Sequence, residues 1–406
     1  ATKKDVVCPQ AFNNQIPEIH EISFDCLKIN VFTPKGHINS LPVLLYIHGG
    51  AFKQGYGNEL SPKDLVKKGI IVVNLNYRVG AHGFLCLGTE FAPGNAGLKD
   101  QVAALKWIRD NIVEFGGDPN NVSVAGNSAG GTIVEMLMLS KMASGLFHKA
   151  LSESGNALPS WAIDDTPIKT ANSYASQFNV SLKANITALE NFYKSLTIDD
   201  FRVLFTQYKS DVLGFVPCVE KQIEYIEAFL VDTPINIIKS GDYNKVPYVT
   251  GITSKEGIYF LQIYDETKEA MEKDISLYIP RDIEFPNEVA KNEAMGKIFE
   301  FYFPNGIEYE NFVDFWTDTV FAYALIKSTK LHNEHFSDIF LYMFSFDGSV
   351  RLPKPEHPQV RGPGHVAQAM YVQNFSYGVG YDEMKENDFL IRDRMLVMWS
   401  NFFKYG

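Results

Sequence analysis

The sequence predicts an α/β protein with a central, mostly parallel β-sheet flanked by helices. Three observations predict it. Short β-rich runs alternate with helical patterns through the first 160 residues, as parallel strands joined by crossover helices require. The run at 43–47 (VLLYI) is continuously apolar and ends abruptly in Gly49-Gly50, the pattern of a strand buried on both faces. Leu98, Val102, Leu105, Ile108 and Ile112 recur at helical spacing, with Lys99, Lys106 and Asp110 on other faces, so one stripe faces a core.

In chain order, 43–47 is the first buried strand, 70–75 (IIVVNL) the second and 122–125 the third. The glycine- and asparagine-rich stretch 115–121 reads as a loop that breaks the preceding helix. An apolar helix follows at 133–139. Residues 160–235 show no clear sheet period. A strand returns at 246–251, helices of mixed charge are expected over 262–335, and a further strand and a closing helix at 339–345 and 389–403. No repeat, low-complexity tract or linker justifies a cut, so residues 1–406 read as one domain.

Composition removes several function classes. With 46% hydrophobic and 13% aromatic residues, the chain can build a core, and wholesale disorder is excluded. Thirty-seven basic against 48 acidic residues give a net charge of −11. No basic run offsets that sign, so nucleic acid and anionic membrane are poor partners. No apolar run approaches the roughly 18 residues of a transmembrane helix. The four cysteines form no CxxC pair, which argues against a zinc site. Cys8 and Cys26 are near enough to close a small loop, whereas Cys86 and Cys218 stand alone. Four N-x-S/T triplets, at Asn121, Asn179, Asn185 and Asn374, tilt the compartment slightly toward secretion.

The chemistry centres on 122–131 (VSVAGNSAGG). Glycines at 126 and 130 flank Ser128 between a strand and a helix. A turn tight enough to thrust a serine Oγ into a cleft brings neighbouring backbone very close, so its flanks must be small. A serine hydroxyl also needs a base and donors for a developing oxyanion. The stretch 46–52 (YIHGGAF) supplies donors: Gly49 and Gly50, joined by the N–H of Ala129. For the base, the chain order serine, acid, histidine leaves five of the nine histidines. His148 falls too early. His332 and His335 form H-N-E-H on a helix, whose spacing suits a solvated face better than a metal pair. His357 sits among prolines. His365, within 361–365 (RGPGH), lies in a loop after a strand, where glycines permit close approach to a cleft. Glu256, in 251–257 (GITSKEG), directly follows a strand and is placed to hold the imidazole's tautomer.

Together these segments resemble the type-B carboxylesterase/cholinesterase family of α/β-hydrolases, its insect carboxylesterases most closely. The likeness continues in 25–31 (DCLKINV), 76–84 (NYRVGAHGF), 94–101 (GNAGLKDQ), 152–155 (SESG), 246–247 (VP) and 399–402 (WSNF), and so covers essentially the whole chain. It implies an α/β-hydrolase fold and hydrolysis of carboxylic esters through an acyl-serine. In that reading Ser128 is nucleophile, His365 base and Glu256 acid, with Gly49, Gly50 and Ala129 as oxyanion hole. It further implies a Cys8–Cys26 disulfide, a supporting place for Ser154, a small-molecule ester partner, a secreted glycoprotein, and no metal or organic cofactor. Other readings are a non-catalytic binding protein on the same fold, a lipase or thioesterase, or an esterase dedicated to one hormone or odorant. Three departures stand out. The chain begins inside the family's N-terminal region and stops soon after 399–402, so a shortened form without the leading strands is expected. His365 is followed by Val366, Ala367 and Gln368, where the family places an acid two or three positions on. Asn127 precedes the serine, where the family more often has Glu, Gln, His or Asp.

Overall fold

A computed structural model describes residues 6–10, 21–36, 40–178, 182–206, 214–350, 359–375 and 384–406. His357 and Asn179 lie outside these residues, as does the side chain of Asn374. A seven-stranded sheet runs through the centre. Its strands are β1 (Ile29–Phe32), β2 (Leu41–Ile47), β3 (Ile71–Leu75), β4 (Gly117–Asn127), β5 (Lys149–Glu153), β6 (Tyr248–Thr253) and β7 (Ile339–Phe344). The order across the sheet is β7-β6-β5-β4-β2-β3-β1. Every pairing is parallel except β1 with β3.

Strand geometry sends alternate side chains to opposite faces, and both faces are covered. Val43, Leu45 and Ile47 of β2, with Val73, Val122 and Val124, enter one core beneath α1 (Ala96–Asn111) and α2 (Ala129–Leu139). Leu44, Tyr46, Val72, Ala125 and Leu151 enter the other, against Leu396, Trp399, Phe402 and Phe403 of the closing helix, Glu386–Tyr405. Two-sided burial explains why β2 reads as an unbroken apolar run. Each fully buried Val, Leu, Ile or Phe side chain contributes roughly 1.5–3 kcal/mol. A lateral layer spanning Tyr264–Lys273, Glu288–Tyr302 and Tyr309–Trp316 packs around Met271, Phe312 and Phe315. It passes through a π-helical turn, Thr317–Ala322, into Tyr323–Asn333.

The structure differs from the sequence reading in three places. The third strand begins at Gly117, inside the expected loop, because Gly117 pairs with Leu41 before a register shift. Cys86 and Cys218 do not stand alone: they are bonded across 132 residues. Asn95 holds the Cys218 backbone, donating to its carbonyl at 2.8 Å and accepting its N–H at 2.9 Å. Cys8 and Cys26 are also bonded. Lastly, His332 is not on a solvated face. It is fully buried, with Nε2 3.1 Å from Glu135 Oε1 and Nδ1 2.7 Å from the Tyr243 hydroxyl. Spacing along one helix does not show that α2 presents a buried carboxylate, Glu135, to it.

Candidate active site

All of the sheet's parallel strands expose their C-terminal ends along one edge, and the candidate residues leave from neighbouring strands. Ser128 sits between β4 and α2 with φ 56° and ψ −125°, a conformation rarely adopted by a non-glycine residue. Its N–H donates to the Glu153 carbonyl at 2.8 Å and its carbonyl accepts from Thr132 at 3.0 Å. The turn is thus fixed from both sides. Gly130 is forced by contact: a Cβ there would lie 2.2 Å from the Ile47 carbonyl oxygen.

Glu256 follows β6 in the next turn and is fully buried. One carboxylate oxygen accepts the Thr253 N–H at 2.7 Å, and the other lies 2.5 Å from His365 Nδ1. His365 comes from the loop beyond β7, is 8% exposed, and holds Nε2 2.8 Å from Ser128 Oγ. The structure therefore brings Ser128, His365 and Glu256 into one hydrogen-bonded chain. The residue after the histidine, Val366, has φ 58°, a genuine outlier for a β-branched side chain. Strain of this kind persists only where surrounding structure overdetermines it.

Gly49 lies beside the serine: a Cβ on it would be 3.2 Å from Ser128 Cβ. Gly50 turns at φ 102°, and its carbonyl accepts from Lys53 and Gln54 at 2.9 and 3.0 Å. Among the described residues, the N–H groups of Gly49, Gly50 and Ala129 have no acceptor. The segment is braced by His48, whose ring stacks on Tyr77 at 4.2 Å and whose Nδ1 lies 2.8 Å from the Gly49 carbonyl. Tyr77 donates to the His48 carbonyl at 3.0 Å. Burial lowers the His48 pKa to about 4, so this ring stays neutral and holds the loop without adding charge beside the serine.

Ser154 is buried at φ 54°. Its N–H donates to the Gly251 carbonyl at 2.8 Å, and its hydroxyl accepts from Gln368 Nε2 at 2.9 Å. Tyr46 donates to the Asn127 side-chain oxygen at 3.2 Å. Between Asn127 and Ser154, Glu153 is 2% exposed and receives Trp399 Nε1 at 3.3 Å. Burial pushes its carboxyl up to about 8, against the lowering effect of that bond. Sequence reasoning missed Tyr259 and Phe321, whose rings flank His365 with centroids at 5.4 and 4.9 Å. Phe321 arrives through the π-helical turn, which helical periodicity does not reveal. It also missed Thr317, whose hydroxyl accepts the N–H of Gly257 at 2.9 Å and so fixes the turn carrying Glu256. Among the described residues no group of three potential metal ligands occurs, and no helix is long and apolar enough to cross a membrane.

A serine on a strand-to-helix turn, beside an acid and a histidine at the C-terminal edge of a mostly parallel sheet, defines an α/β-hydrolase fold. The family model described as the carboxylesterase family matches residues 1–406, and the chain belongs to that family. It is 36% identical to venom carboxylesterase-6 of Apis mellifera over 64% of this chain and 47% of that protein. It is 29% identical to juvenile hormone esterase of Heliothis virescens, over 100% of this chain and 75% of that one. A crystal structure of juvenile hormone esterase from Manduca sexta, with OTFP covalently attached, superposes with a TM-score of 0.85 at 27% identity. The match covers 98% of this chain and 78% of that one. The chain spans about half the length of the first bee relatives it matches, 47% and 42%.

Proposed function

We propose that the protein hydrolyses carboxylic esters of small molecules through an acyl-serine. The observation that carries this is the continuous chain from Ser128 Oγ through His365 to Glu256, beside three backbone N–H groups with no acceptor among the described residues. Ser128 Oγ attacks the ester carbonyl while His365 Nε2 takes its proton. The N–H groups of Gly49, Gly50 and Ala129 receive the oxyanion, and His365 then protonates the departing alcohol. Water repeats the sequence and frees the acid. Glu256 holds Nδ1 and balances the imidazolium that forms. Ser154 and Gln368 support the strand ends beneath the serine.

Residues 1–406 act in this reading as one domain, since a single sheet draws its strands from both halves of the chain. Two disulfides favour an oxidising, extracellular setting. The test is Ser128→Ala against a small chromogenic ester, with fluorophosphonate labelling in parallel. Turnover and labelling should both vanish; undiminished turnover refutes the assignment.

A further inference from the structure

We infer that Asn185 carries an N-linked oligosaccharide and that Asn121 does not. The two belong to the same sequence pattern, Asn185-Ile186-Thr187 and Asn121-Val122-Ser123, but the fold treats them in opposite ways. The proposal rests on the secretory setting argued above.

Asn185 is exposed and is the N-cap of the helix Ile186–Ser195, in extended geometry with φ −73° and ψ 117°. Its Oδ1 accepts the Ala188 N–H at 2.9 Å, satisfying one of the helix's first donors. The residue is exposed, and its Nδ2 has no hydrogen-bond partner among the described residues. A glycosyl-asparagine keeps its amide carbonyl, so the cap bond survives modification. The Thr187 side chain is exposed on the same first turn. Around both lies an open concavity of about 630 Å³ lined by Leu182, Lys183, Thr187, Ala188 and Asn191. A proximal sugar ring can lie there without displacing protein.

Asn121 offers none of this. It lies in β4, and its Nδ2 donates to the Lys404 carbonyl at 3.3 Å while its Oδ1 accepts from Lys149 Nζ. Ser123 is fully buried. A sugar on Nδ2 would crowd the last turn of the closing helix, whose Lys404 carbonyl Nδ2 contacts, so a chain carrying it there would have to displace that helix end to reach this fold.

The transfer is a substitution at the sugar's anomeric carbon. The donor is a lipid-linked oligosaccharide pyrophosphate, supplied with its transferase by the secretory pathway. The Nδ2–C1 bond forms, the C1–O bond to pyrophosphate breaks, and one amide proton passes to the transferase's base. Nothing is oxidised or reduced.

The test is to fuse the full chain to a heterologous leader and collect it from a eukaryotic secretory host. The host supplies the route, so failure of the natural secretory assignment does not confuse the result. Secreted protein is treated with peptide-N-glycosidase in ¹⁸O water, and each triplet is read separately by peptide mass spectrometry. Asn185 should appear as labelled aspartate and Asn121 as unmodified asparagine. Asn185→Asp, which retains the cap acceptor, and Thr187→Ala, which retains the asparagine, should each abolish the label at 185 and lose one glycan's mass. Secreted protein unmodified at 185, or modified at 121, overturns the proposal.

Discussion

Replacing His332 by leucine tests the buried polar cluster most directly. Glu135 is fully buried in the helix Ala129–Leu139, whose N-cap is Ser128. Its Oε1 accepts from Ser328 at 2.6 Å and meets His332 Nε2 at 3.1 Å, and its Oε2 accepts from the Ala157 N–H at 3.0 Å. Burial alone would raise its pKa. The hydrogen bond and charge of His332, with Ser328 and Ala157, outweigh it and hold the carboxyl below its usual range. Removing one partner of a buried pair costs about 3–5 kcal/mol. At about 2.1 cal/mol/K of unfolding entropy per residue, 406 residues convert this to a fall of roughly 4–6 °C in Tm. The pH dependence is more telling than the size. A carboxyl depressed in the folded state contributes stability above its unfolded pKa and loses it as pH falls through the folded value. In His332→Leu both depressing effects of the imidazole are gone while burial remains, so the carboxyl rises and the stability it contributes at high pH shrinks. Adding Glu135→Gln removes the charge and should recover part of the loss at about pH 8. Thermal melts across pH decide it. If the single and double variants melt together at every pH, the ionic account of this pair is wrong.

Three further outcomes are expected. Glu256→Gln should lower kcat by about 10³–10⁴ with little change in KM, because the imidazole loses its orienting carboxylate; steady-state kinetics on a chromogenic ester measures this. Glu153, raised to about 8, contributes stability that is full below its unfolded pKa and lost as pH rises through about 8. Glu153→Gln should therefore gain on the parent protein in melts taken at increasing pH. Opening the disulfides should follow loop length. Chain-entropy reasoning gives about 5 kcal/mol for Cys86–Cys218, which closes 132 residues. The same reasoning gives about 3 kcal/mol for Cys8–Cys26, which closes 18; paired alanine variants should melt in that order.

What was legible in the sequence had local physical causes. The two-sided burial of β2 made an unbroken apolar run, and the steric crowding around Ser128 required glycines at 126 and 130. The ends of 41–47, 248–253 and 339–344 fell within a few residues of expectation, the first two because those strands are largely buried on both faces. What was not legible depends on contacts between distant segments. Nothing near Cys86 announces Cys218, because the two lie 132 residues apart and the Cys218 backbone is placed by a distant residue, Asn95. Nothing near His332 announces Glu135, because the two meet only after the helices dock. Phe321 reaches His365 through a π-helical turn whose local sequence reads as ordinary helix.

Gln368 shows how a departure from the family pattern fits this chain. An acid there would enter a site already holding two buried carboxyls, Glu256 and Glu153, both at the ends of adjacent strands. Glu256 is compensated by His365 and the Thr253 N–H. Glu153 has Trp399 as its side-chain donor, but burial outweighs that bond and raises its carboxyl to about 8. Another ionised carboxylate there would have no cation to answer it among the described residues, and burying an unpaired carboxylate costs far more than burying an amide. An amide also donates, which a carboxylate cannot: Gln368 Nε2–H donates a hydrogen bond to Ser154 Oγ and so links the residue three places after the histidine to the strand beneath the serine. The supporting charge is absent, yet the connection between the two strand ends remains. It runs through a neutral hydrogen bond, leaving Glu256 as the carboxylate that faces the imidazole.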